Sequence, residues 1–349
     1  MTNIKKIPFI FAILSFLTFF TSANSEIKVV TSIKPIHSLA SYLMEGVGRP
    51  SLIVDGYASP HGFAMKPSHA KMLQEADIIF WVGEGLENFL EKPLKTVAKN
   101  AEKIELIEIK ALNKLKFRER NIFDDHDHDE HGHDDHGKKE DDHDHDDHGK
   151  KEDDHDHDHD DHGKKDDDHD DHGHDDHDGH AHGEFDPHIW LDPVNAKVIL
   201  KEMAEHLIEN DEKNSAIYKK NLAKTLKDID KLIKDTKSEL SKSVASIVFH
   251  DAYQYFEERF NVNILGAFTV NTDVMPGAEQ LAEIREIIEH DKVACVFSEP
   301  QFNPDIIKAV AKDMDIKTGV VDPLGATLNP GKDLYFKLIQ NMSTSFKNC

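Results

Sequence analysis

The sequence predicts an α/β protein of two lobes, each a mostly parallel sheet flanked by helices, joined by one long helix. Strands and helices alternate along the chain, as parallel sheets require. The alternation occurs twice, before and after an uninterrupted helical stretch at residues 213–242. The chain has 349 residues, of which 265 remain without residues 1–25 and 124–182. That length is enough for one large domain or two ordinary domains with real cores.

The first half, expected to cover residues 26–212, contains four predicted strands. Their β-branched and aromatic runs are EIKVVTSI, SLIVDGY, ADIIFWVG and KIELIEI. Pro35 closes the first strand, and a helical segment follows each of the first three. Ser68 is the predicted N-cap of the second helix, HAKMLQEA.

Two helical stretches, at residues 194–210 and 213–242, separate the halves. The longer one contains no Gly or Pro and would be about 45 Å long. Its apolar residues fall on one stripe at helical spacing. They are Leu222, Leu226, Ile229, Ile233 and Leu240. We therefore expect a stiff connection to the second lobe, residues 243–349, whose strands are ASIVFH, NILGAFT, KVACVFSEP and IKTGVVDPLGA.

Residues 1–25 have the features of a cleavable secretory signal. Lys5 and Lys6 precede an apolar run too short to span a bilayer comfortably, and small residues suit cleavage near Ser25. An uncleaved membrane anchor is the alternative. We expect an exported protein.

Residues 124–182 form an acidic insertion with 28 Asp and Glu against 6 Lys. It accounts for most of the net charge of −25, which gives no electrostatic case for nucleic acid binding. The string HGKK recurs at His136, His148 and His162. Because it lacks the apolar residues of a core, we expect disorder.

The insertion holds 18 of the 25 histidines, closely enough spaced to chelate metal in many combinations. They are His126, His128, His131, His133, His136, His143, His145, His148, His155, His157, His159, His162, His169, His172, His174, His177, His180 and His182. Each chelate must order flexible backbone, at about 1–2 kcal/mol per residue. We expect auxiliary, low-affinity sites that collect or sense metal ions; a solvated linker is the alternative.

Outside the insertion, four residues suit a metal site at the carboxyl ends of strands, where open α/β sheets bind ligands. His61 and Asp322 follow strands, His250 ends one, and His188 lies in the loop DPHIW. Three imidazoles and one carboxylate form a good tetrahedral zinc shell. The nitrogen ligands favour zinc, copper or nickel over calcium or magnesium.

The remaining histidines carry weaker signals. His37, near the end of the first strand, is a spare candidate ligand, whereas His69, His206 and His290 are expected to be solvated. Glu299, in FSEP, either orients a ligand imidazole or is solvated. Cys295 and Cys349 are expected to form a disulfide; a Cys–Cys metal site is the weaker alternative because no CxxC pair exists.

Eight strings resemble the periplasmic zinc-binding component of bacterial high-affinity zinc ABC transporters, the ZnuA type. In order along residues 26–349 they are TSIKPIHSLA, GYASPHGFAMKPS, ADIIFWVGEGLE, HIWLDP, FHDAYQYFEERF, FTVNTDVMPGAEQL, CVFSEPQFNP and VDPLGA. The resemblance implies a metal site in a cleft between two lobes, with His61, His188 and His250 as ligands. It also implies a Cys295–Cys349 disulfide.

The resemblance bears on the choice of metal as well. In the manganese-binding branch a glutamate typically replaces the residue matching His250, so the histidine favours zinc. Some zinc members place an acidic residue before the first histidine, where this chain has Pro60. Asp322 or water therefore remains for the fourth position.

These observations predict a monomeric zinc receptor and no enzyme. Its partners would be an inner-membrane ABC permease of a zinc uptake system and, as a further candidate, a periplasmic zinc chaperone. The alternatives are a zinc store or chaperone acting mainly through the insertion, and a zinc hydrolase, since three histidines with an open position also form a hydrolytic site.

Overall fold

The computed structural model describes residues 26–118, 121–122, 183–242, 244–270, 272, 276–312 and 314–349. The predicted signal segment and the acidic insertion lie outside the described residues, and what we expect of them stays a prediction, as do the domain boundaries. Within the described ranges, no helix has the length and apolarity needed to cross a membrane.

Two four-stranded sheets, each entirely parallel, form the framework of the two lobes. The first has the order β2-β1-β3-β4 and the second the order β6-β5-β7-β8, so the two lobes share one topology. The strands are β1 (Val29–Ile33), β2 (Ser51–Val54), β3 (Ile78–Trp81), β4 (Glu102–Glu105), β5 (Ser246–His250), β6 (Ile264–Thr269), β7 (Cys295–Ser298) and β8 (Lys317–Val320). The predicted α/β fold is confirmed.

Nine α-helices connect and flank the strands in the described part of the chain. They are α1 (Lys34–Leu43), α2 (Pro67–Glu75), α3 (Glu84–Thr96), α4 (Pro193–Asn210), α5 (Ser215–Glu239), α6 (Gln254–Phe260), α7 (Ala278–His290), α8 (Asp305–Ala311) and α9 (Leu334–Lys347). The predicted cap at Ser68 is wrong. Pro67 is already helical, and Lys66 is the N-cap, because proline suits the first helical position.

Helix α5 connects the two lobes, as its apolar stripe predicts. It packs against α1 and α4 of the first lobe and against α9 at the end of the second. One continuous hydrophobic core includes residues of β1, β3, β5 and α9. A smaller cluster covers the other face of the second sheet. The lobes are therefore joined by shared packing as well as by chain connection.

Polar contacts reinforce this junction. Lys34, which is buried, donates from Nζ to the carbonyl oxygens of Ala326 and Leu328 at 3.0 and 3.1 Å. Ser38 donates to the Lys332 carbonyl at 2.6 Å. These bonds tie the start of α1 to the loop that precedes α9.

A disulfide joins Cys295 of β7 to Cys349, with a Cα–Cα distance of 5.8 Å. This confirms the predicted pairing. The bond fixes the segment after α9 to the second sheet.

The described residues on either side of the insertion pair with each other. Lys116 and Phe185 form an antiparallel bridge, and the Phe117 amide donates to the Glu184 carbonyl at 3.2 Å. We call residues 115–118 and 184–186 the stem. The stem fixes residues 184–186 to the segment before the insertion, and that segment continues to Asn121 and Ile122, which lie against β6.

Candidate metal centre

Three of the four predicted ligands come together at the carboxyl edge of the sheets. His61 lies in the loop after β2, His188 directly precedes a short 3-10 helix at Ile189–Leu191, and His250 ends β5. One ring nitrogen of each lies within 4.8 Å of the others, and the ring centroids are 5.0 to 5.5 Å apart. An ideal tetrahedral zinc shell needs nitrogens about 3.4 Å apart, so only a small contraction is required.

Two of the imidazoles are held deep in the fold. His188 and His250 are 3% and 4% exposed, whereas His61 is only partly buried. The residues after His188, including Trp190, are fully buried, and the Trp190 indole donates to the Pro323 carbonyl at 2.8 Å. The core therefore fixes the backbone on which His188 is carried.

A carboxylate orients the ring of His188. Nδ1 of His188 lies 2.7 Å from Oδ1 of Asp186, and the same oxygen accepts a hydrogen bond from the His188 amide at 2.9 Å. When ionised, Asp186 can only accept, so Nδ1 carries the proton and the Nε2 lone pair is left for a metal.

A second carboxylate orients His250 in the same way. Nδ1 of His250 lies 3.1 Å from Oε1 of the buried Glu299. His250 Nε2 is buried and has no hydrogen-bond partner among the described residues. A metal bond is the interaction that would satisfy such a nitrogen, so the donor set fits a zinc ion.

The charges around the site affect its protonation. Burial lowers the pKa of His188 well below its ordinary value, and the neighbouring His250 lowers it further. Burial also acts to lower the pKa of His250, but the charge and hydrogen bond of Glu299, aided by Asp251 and Asp186, raise it overall. Burial raises the pKa of Asp186 to about 7.

The three histidines line a small cavity with Trp190 and Phe302 among its walls. Its volume is about 10 Å³, which is room for one particle the size of a water molecule or an ion. The site is therefore suited to a single bare ion and too small for an organic substrate.

Asp322 does not join the group. Its Oδ1 accepts from the Gln301 side chain at 3.0 Å and from the Leu324 amide at 3.2 Å, and its Oδ2 accepts from the Thr327 amide at 3.3 Å. The carboxylate organises the loop after β8. It shares the strand-end position, but its oxygens accept from two backbone amides and from the Gln301 side chain.

The other histidines lie outside the cluster. His37 is in α1, with Nε2 3.1 Å from the Pro50 carbonyl. His290 is exposed as expected. The expected exposure of His69 is wrong, because its ring stacks on Phe63 and accepts the Lys66 amide at 3.2 Å.

His206 is also less exposed than expected. It is half-buried, with Nδ1 2.8 Å from Glu102. With Glu209 these residues form a second group of metal-compatible side chains.

Glu299 and Asp186 have the same role, but the sequence indicates only the first. Glu299 stands at a strand end, where a ligand-orienting residue is expected. Asp186 follows no strand. The one sequence feature that could have marked it as a partner of His188 is its position two residues earlier in the string DPH.

Two linked parallel-sheet lobes with a buried imidazole cluster at the strand ends are typical of a metal-binding solute-binding protein. The family model described as "Zinc-uptake complex component A periplasmic", ZnuA, matches residues 29–349. The chain belongs to this family.

Curated relatives agree over nearly the whole chain. A protein of Brucella abortus (strain 2308), named High-affinity zinc uptake system protein ZnuA, is 43% identical over 329 residues, covering 94% of this chain and 92% of the relative. A protein of Yersinia pestis with the same name is 35% identical, covering 92% and 90%.

Solved structures share the fold. A crystal structure of ZnuA has a TM-score of 0.66 at 20% identity and covers 92% of this chain and 99% of its own. The periplasmic zinc-binding protein TroA from Treponema pallidum has a TM-score of 0.69 at 15% identity, covering 93% and 99%. At these identities the likeness establishes the fold.

Proposed function

We propose that this protein is a periplasmic receptor that captures Zn²⁺ with high affinity and delivers it to an ABC permease for import. The observation that carries the proposal is the cluster of His61, His188 and His250, with two rings oriented by buried carboxylates. Zinc is the cargo. The three imidazoles would supply three ligands and water the fourth, since Asp322 is engaged with its own loop.

The relatives' names support zinc uptake as the process served. The small cavity supports a receptor over a hydrolase, because a hydrolytic site must admit a substrate beside the metal-bound water. The acidic insertion would collect zinc near the site through weaker, interchangeable chelates, and the signal segment would direct export before cleavage near Ser25.

Zinc uptake in cells tests the proposal. A strain that depends on this protein should lose growth in zinc-depleted medium, and lose uptake of radioactive zinc, when it carries His61→Ala. His37→Ala is the matched control, because His37 is a half-buried histidine outside the cluster.

Deletion of the permease genes should abolish uptake in the presence of the intact receptor. Normal uptake by the His61→Ala strain would contradict the proposal and favour a zinc store acting through the insertion. If the zinc-loaded protein hydrolysed esters or hydrated CO₂, that would instead favour the hydrolase.

A further inference from the structure

The pair formed by Asp186 and His188 is anchored to the protein through its backbone. Asp186 Oδ1 bonds only His188, and Oδ2 has no hydrogen-bond partner among the described residues. The carboxylate therefore cannot fix its own direction by contacts with the rest of the fold. Its direction follows from where the main chain holds residue 186.

Two hydrogen bonds hold that main chain. The Asp186 amide donates to the Leu115 carbonyl at 2.9 Å across the stem. The Asp186 carbonyl accepts from the Tyr255 hydroxyl at 2.8 Å. The same hydroxyl accepts the Leu115 amide at 3.1 Å, so one phenol oxygen binds both chains of the stem.

Tyr255 is well placed to act as a fixed point. It is 1% exposed and lies in α6, five residues after His250. Helix α6, which follows His250, thus carries Tyr255. The Tyr255 side chain holds Asp186, which is the hydrogen-bond partner of His188. Arg118 of the stem adds a second link, donating to Asp251 at 3.0 Å and to Glu257 at 2.8 Å.

We propose that Tyr255 is a positioning residue of the metal site, which sets the orientation of His188 by holding the main chain of Asp186 against the stem. The inference rests on the proposed function, in that His188 is taken as a zinc ligand. Without the hydroxyl, the Asp186 carbonyl and the Leu115 amide lose a shared partner, and the Asp186–His188 pair can shift together. Partners beyond the ligands typically change metal affinity by about 10- to 100-fold.

Tyr255→Phe in the full-length mature protein tests this, because it removes one oxygen and keeps the buried ring. The Kd of the tightest zinc site, measured by competition with a chelator, should rise about 10- to 100-fold. Tyr218→Phe is the matched control. Its hydroxyl is also buried and donates to Asp211 at 2.8 Å, at the junction of α4 and α5. This control should lose thermal stability and keep its zinc affinity.

Two further measurements separate positioning from a general loss of stability. Long-range ¹H–¹⁵N spectra, assigned with His188→Ala, should show His188 protonated at Nδ1 in the wild type and as a mixture of tautomers in Tyr255→Phe. In a double-mutant cycle, Tyr255→Phe should weaken binding less than about twofold further once Asp186→Asn is present, because Tyr255 acts through Asp186.

An unchanged Kd and tautomer in Tyr255→Phe would overturn the inference, as would fully additive effects in the cycle or an equal loss of affinity in Tyr218→Phe. Failure of the proposed function looks different: the wild type would then show no tight zinc site that His61→Ala removes.

Discussion

The three histidines of the cluster are not equivalent. His188 and His250 are buried and each faces a carboxylate, whereas His61 lies on a loop and is partly exposed. Two ligands are thus set in place by the fold, and the third completes the group from one side.

Removing any one cluster histidine should abolish tight zinc binding. We expect His61→Ala, His188→Ala and His250→Ala each to weaken the tightest site by more than about 100-fold, since even partners beyond the ligands cost 10- to 100-fold. Asp322→Ala should have a much smaller effect, because its carboxylate is bonded to Gln301, Leu324 and Thr327 and lies outside the cluster. Chelator competition gives the Kd values, with His290→Ala as the control, because His290 is exposed and lies outside both groups of metal-compatible residues. Wild-type affinity in His188→Ala would show that the ligand set is wrong.

Zinc affinity should depend on pH through His250. A ligand imidazole must be neutral, and the pKa of His250 is raised above 6.5. Protons therefore compete with zinc for His250 up to a higher pH than for an ordinary histidine. Zinc affinity should fall as the pH drops through the raised pKa of His250. Glu299→Gln removes the charge that raises this pKa, so the fall should move to lower pH.

Chelator competition between about pH 5 and pH 8 checks the shift, over the range where histidines titrate. Glu258→Gln, at an exposed position of the adjacent helix α6, should leave the profile unchanged. An identical profile for Glu299→Gln and the wild type would contradict the claim that Glu299 raises the pKa of His250.

His61 and His250 could be located from sequence because strand ends converge at one edge of a parallel sheet. His188 lies in a loop that follows no strand, so this rule does not account for it. Asp322 shows the limit of that rule, since position brings a side chain near the site but backbone amides decide where its oxygens go. Asp186 follows no strand and contacts a residue two positions away, so the strand-end rule does not find it.

At the scale of elements, the disulfide holds the end of the described chain to the second sheet. Cys295 and Cys349 are 54 residues apart, and closing such a loop contributes on the order of 4 kcal/mol in the chain-entropy model. The double substitution Cys295→Ala, Cys349→Ala should lower the free energy of unfolding by about this amount, measured by urea denaturation.

The zinc affinity of the folded double variant should stay within about threefold of wild type, because neither cysteine touches the cluster. Intact mass of the unreduced wild type should be lower by two hydrogens than that of the reduced chain. Alkylation of both thiols without reduction would show that the bond is absent.

Strands and helices were predicted in the observed order because their hydrophobic periods are local properties of the sequence. Helix α2 shows how a single residue misleads, since Pro67 at the first helical position outranked the capping preference of Ser68. Lys34 could not be assigned a role in advance. Its carbonyl partners lie 291 to 294 residues away in sequence, and nothing local marks them.

At the scale of the whole molecule, the insertion should be separable from the metal centre. The stem and Tyr255 hold Asp186 through residues outside the insertion, so replacing residues 124–182 by a Gly-Ser linker should leave Asp186 in place. We expect the deleted protein to bind one zinc per chain with affinity close to that of wild type.

The intact protein should bind additional, weaker zinc, and this extra capacity should fall as pH drops through the histidine range. Calorimetric titration of both forms checks the prediction. The matched control is an insertion of unchanged length with its histidines replaced by serine. If deletion of the insertion removed the tightest zinc-binding event, the insertion would be the primary zinc site.

The shared core limits how far the two lobes can rotate against each other. One hydrophobic cluster runs through both sheets and α9, and buried Lys34 ties the lobes together at three carbonyls. A large hinge rotation would open that core to water, so the empty and loaded forms should present nearly the same outline. Under the proposed function, a permease that accepts only loaded receptors would have to detect a local difference. Among the described residues, the loop at 55–66 is a candidate for that difference, because it carries the partly exposed His61.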